Sequence, residues 1–524
     1  MTPRQELEAI TVALQLSVEF PPEVLAETEA WLRSPGIDDA ALLDRTGLPF
    51  VTIDGEHSKD LDQALFVRRE GDGYLVIYAI ADASYYVRPG SALFAESMKR
   101  GASYYFPGFS VPMLPRALSE GLISLNPDEP RRALLFRHSL DSKGAIIDTK
   151  LERARVRSRA RLSWRQVQTL IDSPSTSPLH GTEFEASLFL LRDVGRLRMA
   201  LAAERGLVRY RREEVSIELD GEGLTFQVME QVRDEVELWN EQLSLMCNAE
   251  GGRLLREHEH DAVQPIYRVQ PGPEPERLAQ LAKLTEFMAS RWKLPATPWV
   301  WNQQTTSLAD YLAGLPRATP GSQEDRLVAA LTRQSVMVNL RSEYSTEPGA
   351  HTGVGAEPYA RFSAPMREMV GVFLHKEAME FITCVYPSVE DDEALRAEVV
   401  KVANRSRETQ RRVQDLSNEV VLRRLFTPEL KKPREQRTRF TGTIMGLTSN
   451  KVHVRLDSPP LDMKLYLYDL APFFDGAWLE PAEEGVILRA RGKTEAVLTL
   501  GQRITLVLHN FTEKTRRWVF APVK

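Results

Sequence analysis

Cysteine is nearly absent: the 524 residues include only Cys247 and Cys384, with no CxxC spacing. Two cysteines cannot build a disulfide framework, and the spacing argues against a structural zinc site. Long apolar runs are missing as well. No stretch approaches the ~18 uninterrupted apolar residues of a membrane span. The start, MTPRQELEAITVALQL, has no basic segment followed by an apolar one. The expectation is a cytoplasmic chain with no signal peptide and no membrane partner. An excess of positive charge is lacking too. Lys and Arg number 67 against 73 Asp and Glu, a net charge of −6. That argues against binding polyanions with the whole surface and leaves room for a local basic channel.

Apolar residues make up 43% and charged residues 27%, so the chain can bury several cores. Residues 1–46 read as short helices. Leu7, Ile10 and Leu14 recur at helical spacing, Val24, Leu25, Trp31 and Leu32 form a second segment, and prolines separate the two. From Phe50 strand-length apolar runs appear, followed by helical stretches at 235–258, 275–292, 325–338 and 366–381. A long charged helix over about 391–425 closes this region, leaving much of its surface for solvent or an adaptor role. Residues 47–428 are expected to form one large α/β (α+β) domain. Lys431-Lys432-Pro433-Arg434 reads as a linker. Residues 435–524 carry five or six short strands, which suggests a small β-barrel.

The most informative segment is Thr52-Ile53-Asp54-Gly55-Glu56-His57-Ser58-Lys59-Asp60-Leu61-Asp62-Gln63. An apolar strand ends in Asp54. Asp60 and Asp62 alternate around Leu61, which places them on one side of an extended segment. Three converging carboxylates without a Lys or Arg partner repel one another, and a divalent cation is the usual remedy. Oxygen-only ligands favour Mg²⁺ or Mn²⁺ over zinc. A solvated acidic loop is the alternative reading of the same spacing.

FVTIDGEHSKDLDQALF resembles the signature of the RNase II/RNB family of 3′→5′ exoribonucleases. Further blocks agree: Tyr105-Phe106-Pro107-Gly108-Phe109-Ser110-Val111-Pro112-Met113-Leu114-Pro115-Arg116, then Ile266-Tyr267-Arg268-Val269, then Tyr359-Ala360-Arg361-Phe362-Ser363-Ala364-Pro365-Met366-Arg367. They stand in family order across 47–428. The terminal barrel resembles an S1-like OB domain. The family commonly places cold-shock barrels before its catalytic domain, where this chain shows a helical, helix-turn-helix-like region.

The resemblance implies metal-dependent hydrolysis of single-stranded RNA, or of RNA with a 3′ overhang, to nucleoside 5′-monophosphates. It implies no protein partner, and the expected state is a monomer. By position, Asp54, Asp60 and Asp62 match metal-binding aspartates, with Asp60 and Asp62 also catalytic. Gln63 stands where a fourth aspartate belongs. Its amide can ligate Mg²⁺ but brings no charge, so a weakened or inactive RNA-binding relative is the alternative. Arg367 matches an arginine that stabilises charge on the phosphate. Glu368 departs from the basic residue of the family. Tyr105 and Tyr267 match aromatics that stack on terminal bases. In the barrel, Lys451, His453 and Arg455 alternate with Val452, Val454 and Leu456. With Tyr466 they are expected to form an RNA-tracking face.

Overall fold

The computed structural model describes residues 1–208, 214–220, 222–231, 233–258, 263–385 and 389–523. Its centre is a sheet of six strands: β1 (Leu43–Asp44), β2 (Phe50–Asp54), β3 (Gln63–Glu70), β4 (Gly73–Ala81), β7 (Pro130–Leu140) and β8 (Ile146–Ser163). A separate hairpin, β5 (Tyr104–Phe106) and β6 (Phe109–Val111), lies between β4 and β7 in sequence. The sheet order is β1-β8-β2-β3-β4-β7, and β7 also pairs with β8. The 18-residue β8 is long enough to meet both β2 and β7, so five strands close into a ring.

All nine residues of β4 are buried. Its side chains divide by parity, as a pleated strand requires. Tyr74, Val76, Tyr78 and Ile80 join one core, and Leu75, Ile77, Ala79 and Ala81 join the other. The first core is covered by helices Glu185–Glu204 and Glu235–Glu257. They approach closely at Gly195, where a Cβ would lie 2.3 Å from that of Trp239.

The N-terminal helices, Pro3–Ala13 and Pro22–Arg33, form as their periodicity suggests, the first with a Thr2–Gln5 capping box. They pack onto the main body. Leu7 and Ile10 meet Tyr104, Phe106, Val413 and Val420, while Val24 joins the second sheet core.

The helices Pro275–Trp292 and Gln323–Met337 differ from the one-domain reading. Leu281, Met288, Leu327 and Leu331 share a core with Met445, Val486, Ile487 and Leu500 of the C-terminal region. That region holds a five-stranded antiparallel sheet and a three-stranded one, more strands than the five or six expected. The architecture is the mixed α/β one with β-rich, OB-like C-terminal sheets.

The charged helix spans Val389–Leu430, 42 residues. It is not the exposed rod its composition suggests. Val399, Val402, Ala403, Val413, Val420 and Phe426 are all buried. Phe426 reaches into the C-terminal core, 5.4 Å from Phe440 and 5.0 Å from Phe520. An adaptor role resting on an unpacked helix loses its support.

Candidate active site

β2 delivers Asp54 at its last residue, and the loop from Gly55 returns the chain to β3. Asp54 Oδ1 accepts hydrogen bonds from Gly55 N at 2.7 Å and Ser58 Oγ at 3.0 Å, so the loop fixes that carboxylate. Asp62 is 3% exposed, and its Oδ1 accepts from Met366 N at 3.1 Å. The three carboxylates do converge.

Their partner corrects the sequence reading, which placed no basic group among them. Arg367 enters from the segment before helix Met369–Thr383. Its Nε lies 2.8 Å from Asp62 Oδ2 and 3.0 Å from Asp60 Oδ2, and Nη2 lies 3.4 Å from Asp54 Oδ2. Nη2 also donates to the Asp60 carbonyl at 3.0 Å. One guanidinium against three carboxylates leaves a formal surplus of two negative charges. Burial pushes Asp62 up to about 7, with Arg367 opposing and Asp60 and Asp54 adding to the rise. Asp62 Oδ2 and Arg367 Nε touch as ions but are misaligned, and among the described residues neither completes a hydrogen bond. A surplus of two charges, an all-oxygen donor set and a buried carboxylate oxygen without a donor suit a hard divalent cation.

Gln63 lines the same cavity as Asp54 and Asp62. Its amide, however, is engaged elsewhere. Nε2 donates to the Ser363 carbonyl and Oε1 accepts from the Tyr78 hydroxyl. Ser363 O can only accept, which sets the amide orientation. As a metal ligand, Gln63 is corrected to a bridge between β4 and the loop after Phe362.

Two cavities meet at this point. The smaller, of about 430 Å³, is lined by Asp54, Asp62, Gln63, Arg367 and Tyr344 among others. The larger, of about 1260 Å³, runs past the 55–60 loop, the β5–β6 hairpin and the long helix. Tyr105 and Arg367 belong to both. Tyr105 is 47% exposed, so a ring face is accessible there.

Tyr267 is not accessible. It is 0% exposed and lines neither cavity. The reason is local: Tyr267–Val269 pairs with Glu343–Ser345, and the neighbouring Arg268 and Tyr344 take the cavity-facing positions instead. A base cannot stack on Tyr267 in this arrangement.

In the C-terminal sheet, Val452, Val454 and Leu456 are buried while Lys451, His453 and Arg455 share the other face. Tyr466 pairs with Lys451 across the strands, and the Arg517 guanidinium lies 3.6 Å from its ring centre. The face is not wholly open. Helix Gln323–Met337 brings Arg333 Nη2 to 3.5 Å from His453 Nδ1, and Arg333 pairs with Asp462 at 2.8 Å. Burial and Arg333 hold His453 down at about 4. His453 therefore sits in a seam with that helix.

A second acidic trio, Glu377, Glu380 and Asp392, could by its spacing hold an ion. Lys376 Nζ already fills it, at 2.8, 2.6 and 2.8 Å from the three carboxylates. Sequence reasoning missed a wall of the smaller cavity made by Arg268, Arg361, Arg407, Tyr344 and Glu368. Arg268 and Arg361 both lie inside blocks singled out in the sequence, but their type alone gave no reason to bring them together.

The RNB domain model matches residues 43–381 of this chain. Ribonuclease R of Vibrio parahaemolyticus is 29% identical over 342 residues, which is 64% of this chain and 38% of that protein. Ribonuclease R of Mycoplasma genitalium is 26% identical over 468 residues, 88% of this chain and 61% of that protein. Exoribonuclease 2 of Yersinia pestis is 28% identical over 487 residues, 92% of this chain and 70% of that protein. The chain thus spans less than two thirds of the length of the first two. Among solved structures, Mycoplasma genitalium RNase R in complex with ribose-methylated single-stranded RNA superimposes with a TM-score of 0.84 at 22% identity. That match covers 100% of this chain and 78% of the other. Yeast Ssd1, described as a pseudonuclease, superimposes with a TM-score of 0.61 at 15% identity, covering 87% of this chain and 53% of the other. These structures share the fold.

Proposed function

The chain belongs to the RNB domain family, and from that premise we propose that it is a 3′→5′ exoribonuclease that hydrolyses single-stranded RNA to nucleoside 5′-monophosphates. The observation that carries this reading is the gathering of Asp54, Asp60 and Asp62 around Arg367 where two cavities meet.

Asp54, Asp60 and Asp62 would hold the divalent cation, Mg²⁺ or Mn²⁺, which when bound supplies an activated water and neutralises phosphate charge. The chain's own residues do the rest. The Met366 N–H orients Asp62, and the Ser58 hydroxyl orients Asp54. Arg367 turns its fork from the carboxylates to the non-bridging oxygens of the scissile phosphate, where charge develops. Tyr105 stacks on a base beside it. Water attacks phosphorus, the bond from phosphorus to the 3′ oxygen breaks, and that oxygen leaves with a proton. The phosphate departs on the released nucleotide. Contacts to 2′-hydroxyls favour RNA over DNA. Residues 47–428 would form the catalytic domain, residues 1–46 a helical cover, and residues 435–524 an RNA-holding S1-like domain using Lys451, Arg455 and Tyr466. The protein would act as a monomer in the cytoplasm, on single strands or 3′ overhangs.

One observation favours a second reading, a weakened or inactive RNA-binding relative. The Gln63 amide is tied to Tyr78 and Ser363 and adds no charge for an ion. Incubating 5′-labelled single-stranded RNA with Mg²⁺ separates the two. Stepwise shortening that disappears in Asp62→Asn supports the enzyme. Binding without shortening, with activity gained in Gln63→Asp, supports the weakened relative.

A further inference from the structure

The smaller cavity that holds the aspartates is also lined by a basic wall that the proposed chemistry does not use. Arg268 and Tyr344 face each other on paired strands, Arg361 lies in the following loop, and Arg407 projects from the long helix. Among the described residues Glu368, immediately before helix Met369–Thr383, is the one carboxylate of this wall. Its Oε1 accepts from Arg361 Nε at 2.7 Å and its Oε2 from the Tyr344 hydroxyl at 2.5 Å.

Arg268 and Arg407 are different. Among the described residues neither has a carboxylate within ion-pair distance. Both turn to Ser342: Arg268 Nε donates to its Oγ at 3.4 Å, and Arg407 Nη2 to the same oxygen at 3.0 Å. A second Arg407 hydrogen bond goes to the Ser342 carbonyl. Their guanidinium carbons lie 5.9 and 6.0 Å from the Tyr344 ring centre. Burial first and Arg268 second hold Arg407 below its ordinary value. Three guanidiniums against one carboxylate leave a formal charge of +2 on this wall. Half-buried cations held together without a counter-ion are costly, and an anion between them removes the cost. Planar forks fixed by hydrogen bonds match phosphate oxygens. The same cavity holds the hydrolytic cluster, so one ligand carrying repeated phosphates can serve both.

We propose that Arg268, Arg361 and Arg407 form a second phosphate subsite that grips a phosphate of the RNA strand other than the one being hydrolysed, a ligand choice that rests on the exoribonuclease reading. Glu368 and Tyr344 are its positioning residues. They hold the Arg361 fork and limit the positive charge of the wall.

Fluorescence anisotropy of the full chain with a labelled decanucleotide, in EDTA, tests the subsite without any hydrolysis. Arg407→Ala should raise Kd about tenfold and reduce the salt slope of log Kd by about 0.7, the share of one phosphate contact to a single strand. Glu368→Gln keeps the size and the acceptor to Arg361, turns the bond to the Tyr344 hydroxyl into an N–H donation, removes the counter-charge and should lower Kd. Opposite signs cannot come from general loss of structure. A defect of equal size on 3′-hydroxyl and 3′-phosphate strands assigns the subsite to an internal phosphodiester. A larger defect on the 3′-phosphate strand assigns it to the terminal group. Kd shifts of the same sign in both variants, or an unchanged salt slope in Arg407→Ala, overturn the subsite. A wild type that binds with these signatures but never shortens RNA would sink the exoribonuclease reading and leave the subsite standing.

Discussion

Replacing Arg367 by alanine removes the one cation that, among the described residues, contacts all three carboxylates. Two effects can be separated. Without metal, Asp62 at 3% exposure loses an ion pair of 2.8 Å, and Asp60 loses one of 3.0 Å. Breaking one side of a buried pair costs about 3–5 kcal/mol. Asp62 sits at about 7 even with the arginine present, so proton uptake limits the penalty to the lower end. A loss of about 3 kcal/mol corresponds to a melting temperature lowered by roughly 3–4 °C in EDTA for a unit of this size. Adding Mg²⁺ should recover most of that loss, because the ion meets three uncompensated carboxylates. Catalysis should not recover. Removing a donor to the developing phosphate charge costs about 10²–10³ in single-turnover rate. Arg367→Lys should restore the melting temperature in part but little of the rate, since one ammonium cannot present a flat fork to three acceptors. The assay is a thermal melt with and without Mg²⁺, paired with single-turnover shortening of labelled RNA. An unchanged melting temperature of Arg367→Ala in EDTA would refute the claim that the guanidinium holds the cluster together.

Further expectations follow from neighbouring residues. Gln63→Asp adds a charge beside Asp62 and should tighten divalent-ion binding by about tenfold, measured by calorimetry; equal affinity would place the side chain outside the ion's reach. Tyr105→Ala should weaken single-strand binding by about 1–3 kcal/mol. Tyr267→Ala should instead lower stability by about 3–5 kcal/mol with little change in Kd, and matching losses of affinity would contradict the burial of Tyr267. The share of stability that comes from two buried histidines should fall in mild acid, opposed by proton uptake at Asp62 and Glu377, both raised to about 7 by burial. His138 and His375 are 0% and 1% exposed, and burial holds them at about 3 and about 4. An unfolded histidine near 6.5 takes a proton that the folded one refuses, so stability is full above that pH and declines below it. Between pH 6.5 and 5 the pair should cost about 3 kcal/mol. A urea midpoint that changes between these pH values by the same amount in wild type and in His138→Gln would count against this.

The aspartate trio is legible in the sequence because local rules place it: a strand ends at Asp54, and alternation pairs Asp60 with Asp62. The partner of the trio is not legible that way. Arg367 lies about 300 residues further on, and only the closure of the fold brings it between the carboxylates. Gln63 was visible as a substitution, but its bond to Tyr78 depends on the register of β3 against β4. Tyr267 shows the limit of carrying a role by position. Next to it in the chain, Arg268 reaches the cavity while Tyr267 fills the core, a one-residue alternation that a motif does not report. The strand pattern at Lys451–Leu456 was readable in full. That helix Gln323–Met337 would lean against its polar face was not, because nothing in the helix sequence names the surface it covers. Composition misled at the long helix, where charged residues outnumber the apolar stripe that packs it down.

That helix also sets a mechanical relation. Arg407, in the cavity wall, and Phe426, in the C-terminal core, are carried by one continuous rod. Nineteen residues separate them, an axial distance of about 28 Å. The C-terminal sheets are therefore geared to the cavity in angle as well as in distance. Each residue added or removed between the two points would turn the sheets by about 100° and shift them by about 1.5 Å relative to the cavity. The spacing works as a fixed phase between the place where a strand would be held and the place where it would be cut.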